Sequence, residues 1–170
     1  AVPTREAADR LQGMLAEGRT RILGGPDAIC QAIRECGADV IVHAICGMAG
    51  IPPALAAADT GARIAMANKE AIIAAGHLIY DRLAKSGGEL IPVDSEHSAI
   101  FQCLTAAGAA DPHSPANPAK IRRIILTASG GPFFGKDTAA LSAVTPQMAL
   151  AHPTWKMGKK ITVDSATLMN

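Results

Sequence analysis

Three short apolar runs, each closed by small or polar residues and separated by helix-length segments, constrain this chain more than any other feature. Asp39 to Ile45 reads as a strand covered on both faces, because an unbroken apolar run leaves no polar face for water. Arg63 to Ala67 reads as a second apolar strand, and Glu89 to Val93 as a third strand. Between them lie a short helix from about Pro52 to Asp59 and a long one from Asn68-Lys69-Glu70 to about Lys85, stopped by Gly87-Gly88. Strand, helix, strand, helix, strand at this rhythm predicts a parallel sheet with crossover helices. Ligands in such sheets bind beyond the carboxyl ends of the strands. The segments just after Ile45, Ala67 and Val93 are therefore the candidate sites.

The flanks are less regular. Thr4 can cap a helix to about Gly18 with Leu11, Met14 and Leu15 on one face. Pro26-Asp27 opens another, with Ile29, Ala32 and Ile33 inward and Gly37 as its stop. Residues 105–120 form a breaker-rich loop. Ile121 to Thr127 is expected as a strand, followed by the glycine-rich Ser129-Gly130-Gly131-Pro132. Thr145-Pro146 should start a helix to about Ala151, and Lys160 to Val163 is expected as a strand feeding Asp164-Ser165. The change of character past residue 93 places a domain boundary there, giving 1–93 and 94–170.

Composition excludes several function classes. A net charge of +1 and 3% aromatic residues give no electrostatic footprint for nucleic acid and few rings on which bases could stack. No apolar run reaches the length of a membrane span. Cys30, Cys36, Cys46 and Cys103 have no C-x-x-C spacing, which removes the zinc-knuckle and thioredoxin readings and leaves reduced thiols in or near the core. The chain opens Ala1-Val2 without a signal segment, and its last residues read as a helix just starting, so both ends are expected to be cuts.

Several residues could carry chemistry. Asp94-Ser95-Glu96 follows an apolar run; two carboxylates at i, i+2 can ligate a hard divalent cation, while the alternative is an ordinary helix cap. Val-Asp-Ser occurs at 93–95 and again at 163–165, and each occurrence could offer backbone N–H groups at a helix start to an anion. Ala128 to Gly131 offers the same chemistry, and turn formation is the competing reading for all three. Lys69 could meet a substrate oxygen, or could be an exposed first-turn lysine. Trp155, in His152-Pro153-Thr154-Trp155-Lys156-Met157, is either a core anchor or a lid over a ligand. His43, His77 and His113 read as structural or solvent-facing, and His97 stays open. Gly47-Met48-Ala49-Gly50 is consistent with a dinucleotide crossing the sheet edge but is not G-x-G-x-x-G.

Ala67-Asn68-Lys69-Glu70, Pro92 to Gln102, Thr127 to Phe133 and His152 to Gly158 through Asp164 to Asn170, in that order, resemble the 1-deoxy-D-xylulose 5-phosphate reductoisomerase family. The resemblance runs from about Ala44 to the last residue. It implies an α/β chain: the later half of a Rossmann-like NADPH-binding domain, then the start of an α+β catalytic domain with a flap. It implies conversion of deoxyxylulose phosphate to 2-C-methyl-D-erythritol 4-phosphate, by rearrangement through retro-aldol cleavage and re-addition, then hydride reduction by NADPH. The cofactors so implied are NADPH and Mg²⁺ or Mn²⁺.

Carried over by position, Asp94 and Glu96 resemble the metal ligands, and Lys69 and Ser95 resemble contacts to the substrate. Ser129, Ser165, Asn170 and His152 resemble further substrate or phosphate contacts. Lys69, Asp94, Glu96 and His152 form the implied catalytic set. Trp155 falls in the implied flap over the substrate. Ala44, Ile45, Gly47, Asn68, Lys69, Glu70, Met157 and Gly158 resemble the cofactor side. The family's glycine-rich fingerprint and a third carboxylate ligand have no counterpart in these residues, so the 170 residues alone are expected to be inactive. A homodimer in the bacterial cytoplasm, or in a plastid, acting on a phosphorylated sugar with no nucleic-acid or membrane partner, completes the implication. A non-catalytic scaffold and a different metal-using Rossmann oxidoreductase are the competing classes.

Overall fold

The computed structural model describes residues 1–15, 20–111, 117–127 and 130–167. The chain divides into two compact units, Ala1–Arg122 and Arg123–Asn170.

The first unit is built on a three-stranded parallel sheet in the order β1-β2-β3, with β1 Val40–His43, β2 Arg63–Met66 and β3 Glu89–Pro92. Two helices make the crossovers, α3 (Ile51–Ala58) and α4 (Lys69–Ser86). Before the sheet lie α1 (Arg5–Met14) and α2 (Ala28–Glu35), and after it α5 (Ser95–Ala106). The five central elements fall where the apolar pattern puts them. Strand order decides which face of the sheet is covered. Right-handed crossovers stepping one way along a sheet leave both connecting helices on the same face, and α3 indeed packs on α4 and on α2.

That face holds the core: Ile64, Met66, Leu90, Ile79 and Leu83 are buried together with Ala54, Ala57, Ala58 and Ala71. The alanine-rich sequence of α3 explains the close helix contacts, since a methyl side chain keeps neighbouring backbones near. Gly88 is needed for the same reason: a Cβ there would lie 2.9 Å from Leu83 and 3.0 Å from the Ala62 carbonyl. Arg82 pairs with Asp59 at 2.6 Å across α4 and the end of α3.

The structure departs from the sequence expectations at several points. β1 is covered on one face only among the described residues: Ile41 packs against the core, whereas Val42 is 71% exposed and Val40 is exposed beside it. An apolar run cannot reveal which face the crossovers will cover. In α1, which ends at Met14, Met14 and Leu15 are exposed; in α2, Ala28 and Cys30 are buried while Ile29 faces outward. Of the four cysteines, all free, only Cys30 is buried.

The second unit contains the short helices α6 (Thr138–Leu141) and α7 (Pro146–Ala149), and α8 (Lys159–Thr167). Thr145 caps α7 as its sequence predicts, its hydroxyl accepting from the Met148 N–H at 3.3 Å. Ile121 to Thr127 is not a strand, and Ile124, Ile125 and Leu126 are exposed without a ladder partner among the described residues. The expected strand at Lys160–Val163 is instead the first half of α8. Its β-branched residues suit a strand locally, but the helix buries Thr162 and Ala166 on one side, four residues apart. Thr162 satisfies its hydroxyl on the Gly158 carbonyl at 2.9 Å, and Lys160 pairs with Asp164 at 2.6 Å. The backbone of Asp164-Ser165 is consequently mid-helix, not a helix start.

Shortening a core side chain under the sheet should show where stability resides. Leu83→Ala, at a position 1% exposed, is expected to cost about 2–5 kcal/mol. Urea unfolding should report a lower midpoint with an unchanged slope.

Candidate active site

Parallel pairing fixes the site before any side chain is considered. His43 registers with Met66 and Met66 with Pro92, so the three strands end in one row. The backbone carries the row one step further, Ala67 N–H donating to the His43 carbonyl at 2.9 Å and Val93 N–H to that of Met66 at 2.8 Å. Segments 44–50, 67–70 and 93–97 therefore leave the sheet side by side.

Lys69 and Asp94 meet across this row. The Lys69 ammonium lies 3.0 Å from Asp94 Oδ2, with side chains 11% and 13% exposed. Asp94 precedes α5 but makes no side-chain capping hydrogen bond, so the capping alternative is not what occupies its carboxylate. His97, one turn along α5, brings Nδ1 to 3.7 Å from the same oxygen. Burial pushes the Asp94 carboxyl up, but hydrogen bonds from Lys69 and with Glu96, together with the charges of Lys69 and His97, outweigh it. The net effect holds the group below its ordinary range, ionised at neutral pH. Ser95 donates its hydroxyl to Glu96 Oε2 at 2.8 Å. Lys69 is thus paired with Asp94, Ser95 is bonded to Glu96 beside them, and the exposed-lysine reading of Lys69 falls. Asp94, held below its ordinary range, and Glu96 two residues on are an oxygen donor set suited to a hard divalent cation. No group of three or more potential ligands is assembled among the described residues.

Beside this cluster the loop after β1 is held by Asn68. Its side-chain oxygen caps α4 by accepting from Ala71 N–H at 2.6 Å, while its amide donates to the carbonyls of Ile45 and, at 3.0 Å, Gly47. Gly47 has φ +71°, and a short 3₁₀ turn, Met48–Gly50, leads into α3. Ala44 is exposed; Ile45 and Gly47 are half-buried. Glu70, also half-buried, lies in the first turn of α4. A cavity of about 280 Å³ opens on the α4 and α5 side, lined by Lys69, Asp94 and His97 at its polar end and by Tyr80, Phe101 and Leu104 among its apolar walls.

In the second unit His152 Nδ1 accepts from the N–H groups of Thr154 and Trp155, at 3.1 and 2.9 Å. With Nδ1 an acceptor, the ring proton belongs on Nε2. Trp155 is 61% exposed, so it does not anchor a core of its unit. Met157 is half-buried, Gly158 exposed, and Ser165 sits half-buried in α8, where a Cβ on Gly131 would lie 3.1 Å from its carbonyl. Ser129 and Asn170, like His113, lie outside the described residues.

Comparison with known proteins bears on all of these segments. Residues 1–76 match the family model described as 1-deoxy-D-xylulose 5-phosphate reductoisomerase, and residues 90–170 match that of the reductoisomerase C-terminal domain. The chain belongs to the 1-deoxy-D-xylulose 5-phosphate reductoisomerase family. A reductoisomerase of Bordetella avium (strain 197N) is 47% identical over 99% of this chain and 43% of its own length. One from Xanthomonas axonopodis pv. citri (strain 306) is 51% identical over 93% of this chain and 38% of its own. A crystal structure described as DOX-P reductoisomerase in complex with NADPH, fosmidomycin and magnesium superposes with TM-score 0.81 at 38% identity, over 99% of this chain and 42% of that one. The Zymomonas mobilis reductoisomerase in complex with NADPH gives TM-score 0.79 at 40% identity, over 99% of this chain and 41% of that one. The chain therefore spans about two fifths of the length of the relatives it matches.

What sequence reasoning missed is the Lys69–Asp94 pair; His43 is buried, in keeping with the structural one of its two readings. The signal for the pair was present: both residues follow the ends of neighbouring parallel strands at nearly the same offset.

Two measurements check this geometry. Tyr80 is the only tyrosine, and burial pushes its phenol above the ordinary 10.0. An ultraviolet titration should therefore give a phenolate midpoint above that value. The stability its burial in the neutral form contributes should be present below the ordinary value and be lost as the pH climbs towards the folded one. Asn68→Asp would replace two donated hydrogen bonds by a carboxylate facing the Ile45 and Gly47 carbonyls. It should lower stability by about 1–3 kcal/mol for each buried acceptor left unmatched, read by the urea midpoint.

Proposed function

We propose that the protein converts 1-deoxy-D-xylulose 5-phosphate to 2-C-methyl-D-erythritol 4-phosphate, using NADPH and a divalent cation, Mg²⁺ or Mn²⁺. The single observation that carries this reading is the buried contact of Lys69 with Asp94, two residues from Glu96 and set beside the glycine loop at the strand ends. Family membership supports the reaction, and the Lys69–Asp94 pair supports its location at the strand ends.

The cation, when bound, would polarise the substrate carbonyl, and NADPH would supply hydride. The chain's own residues bind and orient. Asp94 and Glu96 offer carboxylate oxygens to the metal, Asp94 already being ionised. Lys69, fixed by Asp94 at 3.0 Å, presents its ammonium to a substrate oxygen. Ser95 contacts the substrate directly, and its hydroxyl also settles the orientation of Glu96. His152, with its proton on Nε2, donates to the substrate, and Ser129, Ser165 and Asn170 hold the phosphate end. Trp155, already exposed, lies in a flap that excludes water from the reacting carbons. Ala44, Ile45, Gly47 and Asn68 to Glu70 belong to the cofactor side, with Met157 and Gly158 near the nicotinamide.

This assignment carries a domain division near residue 93, with a cofactor domain over 1–93 and a metal- and substrate-binding domain over 94–170. α5 stays with the sheet in the compact unit Ala1–Arg122, and Asp94 at its start is tied to Lys69. The protein is further proposed to act as a homodimer in the bacterial cytoplasm. No described helix is long and apolar enough to cross a membrane.

The test uses the full-length protein and deoxyxylulose phosphate-dependent oxidation of NADPH, followed by absorbance. Asp94→Asn keeps the shape but removes the charge that a cation and Lys69 both require. Its kcat/KM should fall by about a hundredfold or more, as when a preorganised charge partner is removed from a reacting centre. Turnover within a few-fold of the unaltered protein would exclude the assigned site.

A further inference from the structure

His43 is a histidine at the end of a core-facing strand position, 3% exposed, and no step of the proposed reaction uses it. Its Nε2 lies 2.8 Å from the Gly50 carbonyl. A carbonyl only accepts, so Nε2 carries the ring proton and donates it. Nδ1 is left as a buried acceptor with no hydrogen-bond partner among the described residues. An unmatched buried ring nitrogen is unfavourable, so packing alone would favour an apolar side chain here. What the imidazole adds is a fixed Gly50 carbonyl.

Gly50 is pressed against the two residues that hold the loop. A Cβ there would lie 2.8 Å from His43 Cε1, from Asn68 Nδ2 and from the Ile45 carbonyl. His43 and Asn68 thus sit together beneath the loop and fasten three of its carbonyls, those of Ile45, Gly47 and Gly50. All peptide bonds among the described residues are trans, and in a trans peptide the N–H points opposite its own carbonyl. Inward carbonyls at Ile45 and Gly47 therefore aim the Cys46 and Met48 N–H groups away from the clamp. Neither N–H donates to a protein acceptor among the described residues. The third, that of Ile51, is already used on the Met48 carbonyl.

We propose that His43 is a positioning residue for cofactor binding. With Asn68 it sets the 44–50 backbone so that the Cys46 and Met48 N–H groups donate to an oxygen acceptor of the dinucleotide. Asn68 then acts on the cofactor through the loop, since both protons of its amide are taken by Ile45 and Gly47. This rests on NADPH being the cofactor.

The experiment uses the full-length protein, NADPH as the probe, and binding measured directly by nicotinamide fluorescence. His43→Leu keeps the bulk and removes the donor; His43→Gln keeps an N–H donor of similar reach. The leucine variant should raise the Kd for NADPH about tenfold, the size of one lost directing hydrogen bond. The KM for deoxyxylulose phosphate should stay within about twofold, and the glutamine variant should recover most of the NADPH affinity. Hydrogen exchange in the unaltered protein gives a second reading: NADPH should slow the Cys46 and Met48 amides. Unchanged affinity in His43→Leu, or equal losses in the two variants, would overturn the role of His43. Amides that exchange equally fast while NADPH is bound would overturn the backbone contact, and decide the matter if His43→Leu does not fold. Absence of any NADPH binding by the unaltered protein removes the functional reading first, and this inference with it.

Discussion

The in-register ending of three parallel strands is the constraint on which the rest of the site depends. His43, Met66 and Pro92 form one row of partners. Every group that matters in the first unit lies within a few residues of that row. A slip of one residue in β3 would turn its alternate side chains to the other face and carry Asp94 away from Lys69. The apolar core under the sheet thus does more than hold the helices. By burying Ile64, Met66 and Leu90 on one face, it selects the register that brings a lysine and two carboxylates together.

That placement is costly on its own terms. Two charged side chains, each about one tenth exposed, have lost most of their water, and their attraction need only offset this loss. The pair is therefore poorly described as a stabilising bond. Its consequence is directional: an ammonium that would otherwise sample many rotamers is held at the start of α4, and a carboxylate is kept ionised despite burial. A cation and an anionic substrate need groups already charged and already placed, because ordering them at the moment of binding would consume affinity.

Much of the fold was legible in the sequence between residues 39 and 93, where apolar runs and glycine stops coincide with strands and helix ends. Beyond that, local signals compete. Ile161, Thr162 and Val163 look like a strand because each is β-branched, yet the segment is helical: Thr162 and Ala166, one turn apart, share a side that the rest of the unit buries, and Lys160 reaches Asp164 one turn on. The isoleucines of 121–127 carry strand propensity without a ladder among the described residues, and propensity without pairing makes no strand. In the site, Asp94, Glu96 and Lys69 stood out as residue types, but their contact did not. Pairing of residues twenty-five positions apart follows from register, which a single sequence encodes only through the pattern of its core.

The glycine loop shows how such a signal can arise from an indirect cause. Small residues after a buried strand suggest that a ligand approaches the backbone closely. Here the approach to Gly50 comes from within: His43 and Asn68 fill the space a Cβ would need. Gly47, by contrast, serves a turn with positive φ. Neither glycine is small for the ligand's sake. Yet by letting two polar side chains lie flush beneath the loop, Gly50 allows the carbonyls to be satisfied inward, which is the condition for N–H groups to face outward. A bulkier residue would separate the clamp from the loop before it touched any cofactor. The requirement for glycine therefore belongs to the positioning of the loop, one step removed from recognition.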